Sequence, residues 1–156
     1  MRIHLVFVGK TGFGDLESAI GRYVERLEHY CKVEVVYVKA EKIAGGGDDT
    51  AVRERESERI RKAVGSRGYL IVCDQVGREF DSMELSKLME KLIASGVSDI
   101  WIAVGGPVGV SPQLLTGASL VLSLSKMTFP HDLARLILVE QLYRAFTIIK
   151  GEPYNK

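Results

Sequence analysis

The sequence predicts an α/β domain whose core is a mostly parallel sheet of about five strands flanked by helices. Short apolar runs alternate with segments of helical periodicity along the whole chain, a pattern typical of this class. The length of 156 residues suits one hydrophobic core, so we expect a single domain over residues 1–156. The runs with strand character are residues 2–8, 33–39, 69–73, 100–104 and 120–124.

Two helices are marked by their apolar spacing and by capping signals. The first follows the turn at residues 12–15 and repeats apolar side chains every three or four positions, as one buried face requires. Another begins at Asp81, where Glu84 completes the spacing of a capping box. The apolar positions are Leu16, Ile20, Tyr23, Leu27 and Cys31 in the first helix, and Leu85, Leu88, Met89 and Leu92 in the later one.

Residues 48–64 predict a third helix, which is mostly charged rather than apolar on one broad face. Acidic and basic side chains alternate, so the pattern favours a solvated helix with ion pairs over an RNA-binding arm. Only a thin apolar seam remains, made of Val52, Ile60, Ala63 and Val64. The glycine-rich segment 45–49 before it predicts a flexible loop that ends in an aspartate cap.

Composition restricts the function classes. With 46% hydrophobic and 26% charged residues the chain has globular proportions, and it has no apolar run of about 18 residues and no export signal. We therefore expect a cytoplasmic protein with no membrane contact. A net charge of +1 provides no general attraction for RNA, so an RNA-binding surface must be a local patch or be completed by a partner.

The two cysteines, Cys31 and Cys73, lie in or beside apolar segments without metal-ligand or redox spacing. They are expected to be small buried thiols in a reducing compartment. No metal site is predicted.

The most informative segment begins at residue 100, where a buried strand leads into the loop Gly105-Gly106-Pro107-Val108-Gly109. Such glycines allow a backbone to approach a ligand at the carboxyl edge of a sheet, or they only form a tight turn; spacing alone does not decide. Ser111 is a natural N-cap, with Pro112 at the first helical position. The loop lacks dinucleotide spacing, and His4 stands where a nucleotide-binding loop ending at Gly9-Lys10-Thr11 would need glycine.

A second loop, residues 124–130, separates the last strand from a helix over residues 131–149. Pro130 fits the first helical turn, with Thr128 or Phe129 near the cap. The helix is apolar on most sides, which predicts that it is covered on most sides, most simply in a two-fold homodimer.

Charged side chains interrupt that helix. Glu140 and Arg144 have the spacing and order of a helical ion pair, and His131 and Arg135 lie one turn apart. A structural ion pair is the favoured interpretation for Glu140 and Arg144. The role of Arg135 stays open.

These motifs, taken together, resemble a known family. The glycine loop at 105–109, the segment Ser123-Leu124-Ser125-Lys126-Met127-Thr128-Phe129-Pro130-His131, the segment at 140–146 and the tail Gly151-Glu152-Pro153-Tyr154 are similar to the ribosomal large-subunit pseudouridine N3-methyltransferases. The similarity spans the whole chain.

The resemblance implies a SPOUT fold with a C-terminal trefoil knot, a homodimer, and S-adenosyl-L-methionine as the methyl donor. It also implies 23S rRNA of assembled ribosomes as the substrate, methylated at N3 of a pseudouridine. By motif, the cofactor-binding positions are Cys73, Gly105, Leu124, Ser125, Lys126, Met127, Thr128 and Phe129. Cys73 stands where the family more often has leucine, which should preserve an adenine pocket.

The tail departs from the family. Tyr154 and Arg144 are candidate substrate-side residues, but the family's usual histidine after the tyrosine is Asn155 here, and asparagine cannot act as a base. Either another group acts, with His131, Arg144 or Lys156 polarising the acceptor, or Asn155 only orients the base and solvent takes the proton, or activity is weak or lost.

Three hypotheses follow. The first is a ribosomal RNA methyltransferase, the second a methyltransferase with another RNA acceptor such as transfer RNA, and the third a catalytically weak ribosome-binding factor.

Overall fold

The computed structural model describes residues 1–43, 49–66 and 68–154, and it confirms the predicted α/β class. In the described part, five strands alternate with five helices. The strands are β1 (Arg2–Val8), β2 (Lys32–Val38), β3 (Tyr69–Glu79), β4 (Asp99–Val104) and β5 (Leu120–Ser123). The helices are α1 (Gly14–Glu28), α2 (Thr50–Val64), α3 (Ser82–Ala94), α4 (Pro112–Thr116) and α5 (His131–Ile149).

The strands form one parallel sheet in the order β2-β1-β4-β3-β5. All carboxyl ends therefore lie at one edge, and the two loops singled out in the sequence leave β4 and β5 at that edge. Ligands of open parallel sheets bind there. The trefoil knot stays a prediction.

Side chains of β1 alternate between the two faces of the sheet. Ile3, Leu5 and Phe7 are buried in the larger core with α1, α3 and α5. Val6 and Val8 are buried on the opposite face, in the smaller core with Ile60 of α2 and Leu114 of α4. Two layers of helices therefore sandwich the sheet.

The predicted caps are present at two helices. Asp81 accepts a hydrogen bond from the Glu84 amide, and the Glu84 carboxylate accepts one from the Asp81 amide, which completes the capping box of α3. Ser111 caps α4 ahead of Pro112. Asp49 occupies the N-cap position of α2 without a side-chain hydrogen bond, and most of the loop predicted at 45–49 lies outside the described residues.

β3 continues to Glu79, whereas the sequence predicted an end at Cys73. Its pairing with β5 shifts register between Cys73 and Arg78, so alternation along the chain is interrupted. Gly77 makes the crossing possible, because a Cβ there would lie 2.6 Å from the Val121 carbonyl group.

α5 spans the predicted residues, but its N-terminal cap differs from the prediction. Pro130 itself occupies the N-cap position, and no side chain caps the helix. Within one chain, α1 and α3 pack along α5, and no residue of α5 is fully exposed. Seven apolar side chains of the helix are only half-buried within one chain, so the homodimer stays a prediction; they are Leu133, Ala134, Leu136, Ile137, Tyr143, Ile148 and Ile149.

None of the described helices combines the length and apolar character that a membrane crossing needs.

Candidate cofactor cleft

A cleft of about 420 Å³ opens at the carboxyl edge of the sheet, between the segments that follow β3, β4 and β5. Its volume lies in the range of sites for small molecules, roughly 300–1,000 Å³. The lining includes Arg53, Cys73, Asp74, Gln75, Val104 to Val110, Leu122, Leu124, Ser125, Met127, Thr128, Phe129, His131 and Ala134.

The structure brings together most of the positions predicted to bind a cofactor. Residues from three separate strand ends meet there, and these are Cys73, Gly105, Leu124, Ser125, Met127, Thr128 and Phe129. Lys126 is exposed and is not part of the lining.

The loop after β4, residues 105–110, is both a tight turn and a cleft wall. The Gly109 amide donates to the Gly106 carbonyl oxygen at 3.0 Å, and Gly109 has a φ of 78°. At Gly105 a Cβ would lie 2.7 Å from Cγ1 of Val110. The glycines therefore form the tight turn, and the loop lines the cleft; a role in letting a ligand approach the backbone stays a prediction.

Helix α2 holds this loop from the other face of the sheet. Arg53 Nε donates to the Val108 carbonyl oxygen at 2.9 Å, and the Ser111 amide donates to Ser57 Oγ at 2.8 Å. Glu56 is buried: one carboxylate oxygen accepts from the Glu41 amide, while the other lies beside Gly106 without a hydrogen bond. The charge alternation of α2 did not reveal these contacts.

The predicted ion pairs of α2 occur on its outer side. Arg59 and Arg55 both pair with Glu41, and Glu58 pairs with Arg61 and Lys62. One side of α2 therefore faces solvent and carries ion pairs, and the other side holds the loop after β4.

The loop after β5 is held by its own side chains. Ser123 Oγ donates to the Ser125 carbonyl oxygen at 3.1 Å, and Ser125 Oγ accepts from the Met127 amide at 2.9 Å. The Thr128 hydroxyl donates to Gln75 at 3.3 Å and so links this loop to the β3 segment. Met127 stays 68% exposed at the mouth of the cleft.

Both cysteines are free thiols that lie partly buried in the structure. Burial raises the pKa of the Cys73 thiol to about 12, with the negative charge of Asp74 as a smaller cause. Cys73 is therefore protonated at neutral pH and contributes an apolar wall rather than a nucleophile.

His131 lines the cleft at the start of α5, with Nε2 3.3 Å from the carboxylate of Asp132. Asp132 is buried and also accepts from Arg135 Nη1 at 3.1 Å and from the Gly12 amide at 2.8 Å. Arg135 is fully buried, and desolvation lowers the pKa of its guanidinium. The role of Arg135, which the sequence left open, is therefore structural: it holds Asp132, the neighbour of the cleft residue His131.

The tail residue Tyr154 lies elsewhere, against the second half of α5. Glu140 accepts from Arg144 Nη2 at 2.6 Å, which confirms the ion pair, and also from the Tyr154 hydroxyl at 3.2 Å. The Arg144 guanidinium lies 4.8 Å from the centre of the Tyr154 ring. Burial, together with Tyr23 and Glu140, raises the pKa of Tyr154, and the hydrogen bond that Arg144 donates to Glu140 raises the pKa of Arg144.

One chain does not bring the tail to its own cleft. Arg144 follows His131 by 13 helical residues, which is about 20 Å along the axis of α5 at 1.5 Å per residue. Asn155 and Lys156 lie outside the described residues.

Among residues 1–43, 49–66 and 68–154, no group of three His, Cys, Asp or Glu side chains is placed to hold a metal ion.

A parallel sheet with a cleft built from strand-end loops is the general arrangement of ligand-binding α/β proteins, and comparison with known families gives the particular class. The chain matches the family model described as a predicted SPOUT methyltransferase over residues 1–155, and it belongs to that family.

Within the family, its relatives carry a more particular name. A protein of Syntrophobacter fumaroxidans named ribosomal RNA large subunit methyltransferase H is 56% identical over 157 residues, and a protein of Acetivibrio thermocellus with the same name is 42% identical over 159 residues. Both alignments cover 100% of this chain and of the relative.

Solved structures share the fold at low sequence identity. A probable methyltransferase of Bordetella pertussis aligns with a TM-score of 0.57 at 13% identity, over 92% of this chain and 95% of that one. A probable methylase family protein of Haemophilus influenzae aligns with a TM-score of 0.56 at 15% identity, over 99% of this chain and 70% of that one.

Proposed function

We propose that this single-domain protein is a cytoplasmic ribosomal RNA methyltransferase. It transfers a methyl group from S-adenosyl-L-methionine to N3 of a pseudouridine in the 23S rRNA of assembled ribosomes. The observation that carries the proposal is the full-length, 56% identical relative named ribosomal RNA large subunit methyltransferase H. The near neutrality of the chain favours an assembled particle, in which neighbouring ribosomal surfaces contribute to recognition.

The cleft fits the proposed cofactor. Leu122, Leu124 and Phe129 provide apolar surface for a planar adenine, and the protonated Cys73 thiol extends it. Gly105 lines the cleft and lets the loop close on Val110 and Gly109, since a Cβ at this position would lie 2.7 Å from Cγ1 of Val110. Ser125 and Thr128, which also line the cleft, supply hydroxyl groups to the same wall.

When bound, the cofactor supplies a methyl group carried on a sulfonium. The chain must place the acceptor nitrogen in line and relieve it of its proton. His131 is the imidazole in the described cleft lining, so we assign it to accept or polarise that proton. Asn155 cannot titrate, and we assign it to orienting the acceptor.

Tyr154 and Arg144 are proposed to contact the RNA from a second subunit. The separation of about 20 Å along α5 keeps them from their own cleft, whereas a two-fold homodimer can present the tail of one chain to the cleft of the other. Arg144 keeps a full positive charge for this role, because Glu140 stabilises the charged form.

The substrate is tested by offering radiolabelled S-adenosylmethionine with intact ribosomes, naked ribosomal RNA or transfer RNA. The ribosomes come from a strain that lacks this methylation. Label in intact ribosomes alone, at N3 of a pseudouridine after nuclease digestion, is expected. Label in transfer RNA would assign another acceptor. Cofactor binding without any transfer would identify a ribosome-binding factor, and a Gly105→Leu variant serves as the cleft-blocked control.

The proposal that one subunit's cleft works with the other subunit's tail is tested by co-expressing two defective variants. Gly105→Leu disables the cleft and Arg144→Ala disables the tail, so each homodimer is expected to be inactive. Co-expressed chains form heterodimers with one intact cleft facing one intact tail, and activity should return. Mixtures that stay inactive, in samples where heterodimers are verified by mass spectrometry, would contradict the shared arrangement.

A further inference from the structure

Arg53 is a cleft residue that no motif identified. It lies in the first turns of α2, is partly exposed, and lines the cleft beside the loop after β4. Its Nε donates to the Val108 carbonyl oxygen at 2.9 Å, so the guanidinium is anchored on the cleft wall.

The terminal nitrogens of Arg53 have no hydrogen-bond or ion-pair partner among the described residues. The other arginines of α2 differ, since Arg55 and Arg59 pair with Glu41 and Arg61 pairs with Glu58. An anchored guanidinium with two open nitrogens presents a fork that matches a carboxylate or a phosphate.

The charges of the cleft and of the cofactor indicate which anionic group Arg53 binds. Besides Arg53, the lining contains the carboxylate of Asp74, which accepts from the Val76 amide at 3.0 Å, and the imidazole of His131. S-adenosylmethionine carries a sulfonium, an ammonium and a carboxylate. A guanidinium repels the sulfonium and the ammonium and attracts only the carboxylate. Arg53 therefore stabilises the bound cofactor when the carboxylate lies beside it.

We propose that Arg53 binds the carboxylate of the cofactor's amino-acid arm and thereby selects S-adenosylmethionine over adenosine derivatives that lack it. The proposal rests on the cofactor named under the proposed function. A carboxylate source is favoured over an RNA phosphate because the guanidinium is tied to the glycine loop inside the cleft rather than to the outer surface of α2. Arg53 is then a specificity-determining residue.

The test compares two ligands that differ only in this group, S-adenosylmethionine and its decarboxylated form, by isothermal titration calorimetry. A charge-assisted pair predicts that the intact protein binds the carboxylated ligand more tightly by roughly tenfold or more. Arg53→Gln should abolish most of this preference, and Arg53→Lys should retain part of it. Arg55→Gln removes the same charge from an exposed, ion-paired position of the same helix and should keep the full preference.

A preference that survives Arg53→Gln would overturn the proposal. Equal weakening of both ligands would also overturn it, because Arg53 would then only hold the loop through Val108. Unchanged cofactor binding with weaker, more salt-sensitive ribosome binding would assign the guanidinium to an RNA phosphate instead. If the unmodified protein binds neither ligand, the proposed function itself fails, which is distinct from a failure of Arg53 alone.

Discussion

Arg135 of α5 donates a hydrogen bond to the backbone carbonyl oxygen of Val8, the last residue of β1. The same guanidinium contacts Asp132 and Thr11 and lies 4.9 Å from the centre of the Phe7 ring. Arg135 therefore connects α5 to the end of β1 and to the turn that follows it.

Replacing Arg135 with methionine should destabilise the fold strongly. The substitution leaves the buried Asp132 carboxylate without its cation, and breaking such a pair costs about 3–5 kcal/mol. Urea denaturation measures the change in the free energy of unfolding. Arg61→Gln, which breaks an exposed pair with Glu58, should cost less than about 1 kcal/mol. Comparable losses in the two variants would contradict the structural role of Arg135.

Gly105→Ala should weaken cofactor binding. The added methyl group would lie 2.7 Å from Cγ1 of Val110 and 3.2 Å from the Gly109 carbonyl carbon, so the loop must shift. Overpacking of this kind costs about 1–3 kcal/mol, and if about half of that cost falls on the bound state, the affinity for S-adenosylmethionine drops roughly two- to tenfold. Calorimetry measures the affinity. Gly117→Ala is the matched control, since its nearest neighbour is a carbonyl oxygen at 3.4 Å and its φ is −82°; equal affinities in both variants would refute the prediction.

Cys73 should resist alkylation, and a bound cofactor should protect it further. With its pKa raised to about 12, the thiolate fraction at pH 8 is about three orders of magnitude below that of a free thiol with a pKa of about 8.5. Iodoacetamide labelling followed by mass spectrometry measures the rate. S-adenosylmethionine should slow the reaction at Cys73 and leave Cys31 unchanged, because Cys31 is not part of the cleft lining. Protection of both cysteines would indicate a global effect instead.

Asp99 should make the stability of the protein depend on acidic pH. Hydrogen bonds from His4 and Ser98 lower the pKa of the Asp99 carboxyl. The stabilisation is therefore complete above the unfolded-state pKa of about 3.9 and is lost as the pH falls through the lower folded-state value. Urea denaturation from pH 6 to about pH 3 should show a shallower acid-side decline for Asp99→Asn than for the unmodified protein. Glu90→Gln, at an exposed position of α3, should follow the unmodified protein. An identical decline in all three proteins would exclude Asp99 as a cause.

Local patterns predicted most of the fold. Four strands and the capped helices α3 and α4 were found because alternation, helical spacing and cap residues are properties of short segments. β3 was predicted six residues too short because its last part depends on the approach of β5, which Gly77 permits. The apolar surface of α5 predicted a second subunit; α1 and α3 of the same chain cover part of that surface, and the homodimer stays a prediction.

The candidate site was predicted in part, from a resemblance. The strand-end loops resemble those of a known family, and that resemblance gave the candidate positions Cys73, Gly105 and Leu124 to Phe129. The support from α2 could not be predicted, because Arg53 and Ser57 contact a loop more than 50 residues away and sit in a segment whose charge pattern indicates solvent exposure. Side chains that act across such distances have no local signature.

The fastening of Val8 by Arg135 also sets an order of events during synthesis. β1 is an inner strand of the sheet, and its neighbour β4 is synthesised only about a hundred residues later. The last carbonyl oxygen of β1, that of Val8, is bonded by Arg135 of α5, which is synthesised later still. The first strand therefore gains its full set of hydrogen bonds only after β4 and α5 have been made, so the earliest element of the sheet is among the last to be completed.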